Sequence, residues 1–216
     1  MKKLLLLYLL SCWTSSIAQE LYFLSGKNFS KYSFSELSSS TPIQLQPGSG
    51  NYYEVGIANS IEDQPFFYSG AINLQEYNAI GGDAVSKYTW NSQYIGAKIS
   101  GYYPLLTSRC NCYNETSWNV LVVASINALT LLDGQQTITS SYYTTNSYYD
   151  LNKNAEFTGL FLQPSLGLQV KYSMFSYGAV SLGYSYNKAF NLINSTNEKL
   201  GFNSHQLQFG IHLNTP

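Results

Sequence analysis

The sequence is short of charge. Asp, Glu, Lys and Arg make up 11% of its 216 residues, less than half the share of about a quarter that soluble domains carry. Eleven Lys and Arg stand against twelve Asp and Glu, so there is no material for the basic face that nucleic-acid binding needs. Long apolar runs are missing too. None reaches the roughly 18 residues of a membrane-spanning helix. Catalytic signatures are absent: the chain has no G-x-S-x-G, no H-E-x-x-H and no phosphate-binding glycine loop. The expectation is a protein that is not an enzyme and needs no cofactor or metal.

Cysteine is scarce. Of the three, Cys12 lies in the leader, and Cys110 and Cys112 form a C-x-C pair. An exported chain meets an oxidising compartment, where Cys110 and Cys112 can close a small local disulfide. A ring that tight is strained and easily reduced. A metal role would need more ligands, and His205 and His212 are distant in sequence.

What the chain has in plenty is aromatic side chains, 16% of residues with 20 Tyr, together with 16 Gly. That content argues against disorder. The first residues read as an export leader. Lys2 and Lys3 precede the apolar Leu4–Leu10, and Ser16-Ile17-Ala18 supplies small residues for cleavage before Gln19. A lipidated Cys12 is the alternative, through the atypical Leu9-Leu10-Ser11-Cys12. The expected organisation is a cleaved signal peptide over 1–18 and one domain over 19–216. Loss of Lys2 and Lys3 leaves nine basic against twelve acidic residues, a net charge near −3.

Past the leader the dominant pattern is period-two alternation, the mark of strands with two different faces. Leu207, Phe209, Ile211 and Leu213 share one face, and Gln206, Gln208, Gly210 and His212 the other. Similar alternation runs through 52–61, 66–76, 94–103, 160–171 and 178–186. It is less clean over 118–132, where Leu121 and Val123 fall on the polar parity, and weakest over the aromatic 21–34. Pro164 removes a ladder donor and predicts a local distortion. Eight strands result. Most reach the roughly 9–11 residues that a tilted strand needs to cross a bilayer, whereas strands of soluble proteins average about 5–6.

The two faces differ in kind. One carries Leu, Ile, Val and Tyr with hardly a charge. The other carries Gly, Ala, Ser, Asn and Gln, plus Glu54, Lys98 and Lys171. An apolar wall around a polar interior fits a membrane barrel. A soluble barrel would use the same period with charged residues outside, and the scarcity of charge argues against it. Since no sheet edge survives in lipid, the eight strands must close. The expected fold is an all-β, eight-stranded antiparallel up-and-down transmembrane β-barrel, with a lumen narrow enough for side chains to plug it. Odd-numbered connections read as long and external. Even-numbered ones read as short and periplasmic, except 104–117, which carries the C-x-C pair. Tyr52, Tyr53, Phe66, Phe67, Tyr68, Trp90, Tyr102, Tyr103, Trp118, Phe175 and Tyr177 are candidates for interfacial girdles.

Several segments carry a resemblance: the leader ending Ile17-Ala18-Gln19, GYYPLL at 101–106, LLDGQQTI at 131–138 and YSYNKAFNLINS at 184–195. In these the chain resembles the small eight-stranded outer-membrane β-barrel proteins of Gram-negative cells, OmpA/OmpX-like transmembrane barrels and the PorT-like barrels of Bacteroidetes-type bacteria. The resemblance spans most of the mature chain. It implies a barrel in the outer membrane, in contact with its lipid. The last strand is similar to the assembly signal read by the barrel-insertion machinery, although the chain runs on through Asn214-Thr215-Pro216.

The functional expectation is a structural, surface-interaction or narrow-transport role. The rival is a secreted soluble β-barrel or sandwich that binds a small apolar ligand or a glycan. Candidate lumen groups are Glu54, Lys98, Gln163, Gln169, Lys171, Gln208 and His212. Strand direction sets Glu54 near the outer end and Lys98 and Lys171 nearer the periplasm, so no direct pair is assigned. The loop 133–156 holds Tyr142, Tyr143, Tyr148, Tyr149 and Asp150, rings and polar groups suited to a protein or glycan partner. Ser204 and His205 are adjacent in a strand and face opposite ways, a poor catalytic arrangement.

Overall fold

A computed structural model describes residues 20–35, 45–61, 64–82, 86–109, 117–140, 146–175, 177–192 and 199–214. The leader, Cys110, Cys112, Tyr142 and Tyr143 lie outside the described residues. Nine strands follow one another: β1 (Glu20–Ser35), β2 (Gln46–Ser60), β3 (Phe67–Gly82), β4 (Ser86–Arg109), β5 (Ser117–Ser140), β6 (Asn146–Asp150), β7 (Phe161–Phe175), β8 (Gly178–Asn191) and β9 (Lys199–Asn214). Sequential neighbours pair antiparallel, except that β7 pairs with β5 past the short β6. β1 pairs with β9 over its whole length, which closes the sheet into a ring of eight strands.

The wall is apolar outward. On β4 and β7, Ile95, Ile99, Leu166, Leu168 and Val170 point away from the lumen, with Ile99 73% exposed. Leu182, Leu207, Phe209 and Ile211 continue the belt round β8 and β9. Such a belt is unfavourable in water and at home in lipid. The chain is therefore an eight-stranded antiparallel up-and-down transmembrane β-barrel. The apolar-outside assignment read from charge scarcity holds, and the soluble barrel with charges outside does not.

Both ends of the ring, Glu20 and Asn214, lie at one rim, here the terminal end, and the two-residue connection between β7 and β8 turns at the same rim. The opposite rim is the far end. Here β4 and β5, 24 residues each, run well beyond the apolar belt. β6 adds to β5 from Gln135↔Asp150 to Thr139↔Asn146.

Some boundaries depart from the sequence reading. Residues 104–109 are not loop but the end of β4, paired with β5 down to Arg109↔Ser117, and a register shift falls at Pro104/Leu106. The proline interrupts the ladder and the strand resumes beyond it. The third connection, read as long, shrinks to 83–85 because β3 and β4 stay paired to Gly82↔Lys87. At Pro164 the β7–β8 ladder skips two residues and resumes at Ser165↔Asn187 in unchanged register. Three girdle candidates are misassigned: Tyr52, Trp90 and Tyr102 are buried in the lumen, because their parity points inward.

Close approach explains one glycine. A Cβ at Gly56 would lie 2.5 Å from the Tyr22 ring and 2.7 Å from the Ala71 Cβ. Tyr22 is tied to Glu54 and Ser69 and cannot swing away cheaply. Gly56→Ala should cost about 1–3 kcal/mol, the usual range for overpacking. Urea titration of the SDS-resistant folded band would show it, and an unchanged midpoint would refute this account.

Candidate functional site

The inward parity of the strands stacks side chains in four layers. At the terminal end, His212 Nδ1 meets Glu20 Oε1 at 2.5 Å, and Lys171 Nζ pairs with Glu20 Oε2. His212 Nε2 lies 2.7 Å from Ser181 Oγ, which accepts from Gln169 Nε2 at 2.9 Å. A cavity of about 70 Å³ opens here, lined by Glu20, Tyr22, Leu121, Gln169, Lys171 and His212 among others. Leu121, an apolar residue on the polar parity of β5, forms part of its wall.

The second layer is an ion pair within hydroxyl groups. Lys98 Nζ donates to Glu54 Oε2 at 2.9 Å and to Tyr52 Oη at 3.2 Å. Tyr22 Oη donates to Glu54 Oε1 at 2.9 Å, and Tyr52 Oη hydrogen-bonds Glu54 Oε2. The ammonium also lies 5.7 Å from the centre of the Tyr52 ring, within cation–π range. Ser69 links Tyr22 to Tyr102. Glu54 is 1% exposed, and a buried charge persists only when paired and hydrogen-bonded in this way. The sequence reading set Glu54 and Lys98 at different levels. The register corrects it: Gly56↔Ala71↔Lys98 is one row, and Glu54 sits a single alternate position above it. Small Gly56 and Ala71 leave room for the two side chains to meet.

The third layer is a web of amides. Gln75 Nε2 donates to Asn73 Oδ1 at 2.8 Å and to Gln163 Oε1 at 3.2 Å. Asn127 Nδ2 reaches Gln163 Oε1 at 3.1 Å, and Gln206 Nε2 reaches Gln75 Oε1 at 2.9 Å. Gln208 Nε2 extends the chain to Gln206 Oε1 at 2.9 Å. Each amide offers two donors and an acceptor, so side chains from β3, β5, β7 and β9 hold one another without charge.

The fourth layer, towards the far end, is aromatic. Phe202 is stacked on Tyr77 at 4.6 Å and meets Tyr32, Phe161 and Tyr94 at 4.9, 5.0 and 5.4 Å. These separations fall within the 4.5–7 Å range of favourable ring pairs. A segment after β6 closes over them. Asp150 Oδ1 accepts from Asn152 N at 2.9 Å and caps a single 3₁₀ turn, Leu151–Lys153. This turn drops Leu151 into the aromatic cluster, and Phe157 follows. Tyr94 Oη donates to the Phe157 carbonyl at 3.2 Å.

Of the residues singled out in the sequence, Glu54, Lys98, Gln163, Gln169, Lys171, Gln208 and His212 all lie on the inner wall. Tyr148 and Tyr149 are exposed on β6, Tyr148 by 62%. Ser204 is buried inward while His205 is exposed outward, so they face opposite sides of the wall. Sequence reasoning did not single out Glu20, Tyr22, Tyr52 and Tyr102 as site residues, nor the amides Asn73, Gln75, Asn127 and Gln206, although it set Gln206 on the polar face. Parity marks them all as inward, but Tyr counts as apolar and hides among the lipid-facing residues. The aromatic layer is invisible for the same reason: Leu129, Phe161 and Phe202 make strands that are apolar on both faces.

No family model matches the chain, and no curated protein matches it. Among solved structures, the outer-membrane protein OprG from Pseudomonas aeruginosa is similar in fold, with a TM-score of 0.53 at 8% identity, over 91% of this chain and 95% of that one. Neisserial surface protein A aligns over 89% and 96% of the two chains, at 14% identity and a TM-score of 0.44. Ail, the attachment invasion locus protein of Yersinia pestis, aligns over 90% and 99%, at 11% identity and a TM-score of 0.34. The likeness to OprG is one of fold.

Proposed function

We propose that the chain is an outer-membrane protein with a structural and surface-interaction role, a closed barrel that carries a binding extension above the membrane. The observation behind this reading is the contrast between interior and rim. Four successive layers of side chains project into the lumen, while β4 and β5 rise beyond the apolar belt and bear the exposed Tyr148 and Tyr149 on β6. Conduction needs a continuous wet path, and the hydrogen-bonded amides and the packed rings of the inner wall speak against one. We therefore favour surface interaction over narrow transport, and assign the chain no catalytic role. The far end is read as external and the terminal end as periplasmic, which follows the habit of outer-membrane barrels to keep short turns inside. Cleavage before Gln19 and insertion by the barrel-assembly machinery belong to the same reading. So does a protein or glycan partner for Tyr148, Tyr149 and Asp150.

Two measurements test it together. After membrane fractionation the protein should need detergent for release and should migrate faster unheated than boiled in SDS. In planar lipid bilayers it should give no discrete conductance steps. Regular steps would overturn the closed-barrel reading in favour of transport. Release into buffer with no heat shift would overturn the membrane assignment itself.

A further inference from the structure

The outward face of β1, β9 and β8 differs from the rest of the wall above the apolar belt. Register places its residues in rows across the three strands. Lys27, Leu207 and Tyr184 form one row, Phe29, His205 and Tyr186 the next, and Lys31, Asn203 and Lys188 the third. The lowest row caps the lipid belt of Leu207, Phe209 and Ile211. The middle row is aromatic, as expected where a membrane meets water. The third row is cationic at both ends with an amide between. Lys31 and Lys188 are exposed, and their strands are two spacings, or about 10 Å, apart.

Among the described residues nothing on this face neutralises the two lysines. β8 and β9 contain no Asp or Glu, and the only carboxylate of β1, Glu20, points into the lumen at the opposite rim. Neither Lys31 nor Lys188 forms an ion pair among the described residues. Lys27 is different: it donates to Asn51 Oδ1 at 2.7 Å, towards the Glu76 side of the wall. His205 adds a polar group just below the lysine row. Its Nδ1 lies 2.6 Å from Tyr184 Oη, and the Tyr186 ring is 5.2 Å away. With the tyrosine donating, the neutral imidazole carries its proton on Nε2, as a donor.

We propose that Lys31, Asn203, Lys188 and His205 form an external site for the phosphate of a membrane lipid whose acyl chains lie along Leu207, Phe209 and Leu182. The vertical order of the rows specifies this occupant. Acyl chains, an aromatic interface and then a phosphate is the order of a lipid leaflet itself. Two lysines spaced to flank a single phosphate, with amide and imidazole donors between them, complement its charge and its several acceptor oxygens. A soluble polyanion would have no use for the continuity with the apolar belt. The inference rests on the membrane reading, but it concerns one face of the barrel.

The test uses the detergent-folded protein, its folding verified by the heat shift. Phosphatidic acid, phosphatidylcholine of the same chains and inorganic phosphate are added separately. Retained lipid is counted by native mass spectrometry, and imidazole resonances are followed by NMR. The chain has two histidines, so exposed His205 and buried His212 report separately. Phosphatidic acid should be retained in preference to phosphatidylcholine and should shift His205 alone. Lys31→Ala with Lys188→Ala should weaken retention roughly 10- to 30-fold, given about fivefold per lysine at an anionic lipid surface. Lys87→Ala with Lys153→Ala removes the same charge elsewhere and should leave retention unchanged. Equal retention of both lipids, or equal loss in both double variants, overturns the site. A His205 shift from inorganic phosphate as large as that from phosphatidic acid overturns the lipid as its source. A barrel without a heat shift would instead strike at the membrane reading.

Discussion

Glu54→Ala should destabilise the folded barrel by about 3–5 kcal/mol, the usual cost of leaving one partner of a buried ion pair alone. Three groups lose an acceptor at once: Lys98 Nζ, Tyr22 Oη and Tyr52 Oη. The ammonium keeps Tyr52 Oη at 3.2 Å, a neutral partner that does not balance its charge. Unlike a surface lysine it cannot turn to water, because its side chain is 10% exposed within the lumen. Urea titration of the SDS-resistant band would measure the loss. The double variant Glu54→Gln, Lys98→Met removes both charges and keeps the volume. Replacement of a buried pair in this way is often neutral or stabilising, so it should recover most of the stability. If Glu54→Ala matched the wild type, or the double variant fell as far as the single one, the pair would not organise this layer.

The second large effect belongs to Phe202. Its ring is 1% exposed and meets four other aromatic rings. Phe202→Ala should cost about 3–5 kcal/mol through lost burial and the cavity left behind. Phe202→Leu, which keeps most of the volume, should cost markedly less. Conductance should not follow stability. The amide web of Gln75, Gln163 and Gln206 lies below the aromatic layer, touches it through Tyr77 Oη, and is otherwise held by its own hydrogen bonds. Phe202→Ala should therefore be less stable and still closed in a planar bilayer. Open steps in this variant would mean that the aromatic layer alone seals the barrel.

The outcomes differ because the layers use different physics. The ion-pair layer depends on charge balance at one point, and loss of one partner leaves a cost that nothing nearby can relieve. The aromatic layer depends on contact area, so its cost scales with the volume removed. The amide web is a set of exchangeable neutral bonds, and a single substitution there should matter least.

Much of the architecture is a local property of the chain. Period-two alternation is written into neighbouring residues, so all eight ring strands are legible in the sequence. The scarcity of charge tells which face meets lipid, because a water-facing wall could not be built from so few charged residues. The inward parity of Glu54, Lys98, Gln163 and His212 follows from the same alternation. Where both parities are apolar the signal disappears, as at Phe161, Phe202 and Tyr22, and these are residues buried on the inner wall.

Tertiary structure decided who meets whom. Glu54 and Lys98 are 44 residues apart, and only the register of β2, β3 and β4 brings them to one level. Tyr52, Trp90 and Tyr102 became lumen residues rather than girdle residues because closure turned their parity inward. Lys31 and Lys188 share a row only because the first and last strands of the ring pair with each other. Alternation along a strand is set by backbone geometry within a few residues. Proximity across strands is set by register and ring closure, which no single segment of the sequence contains.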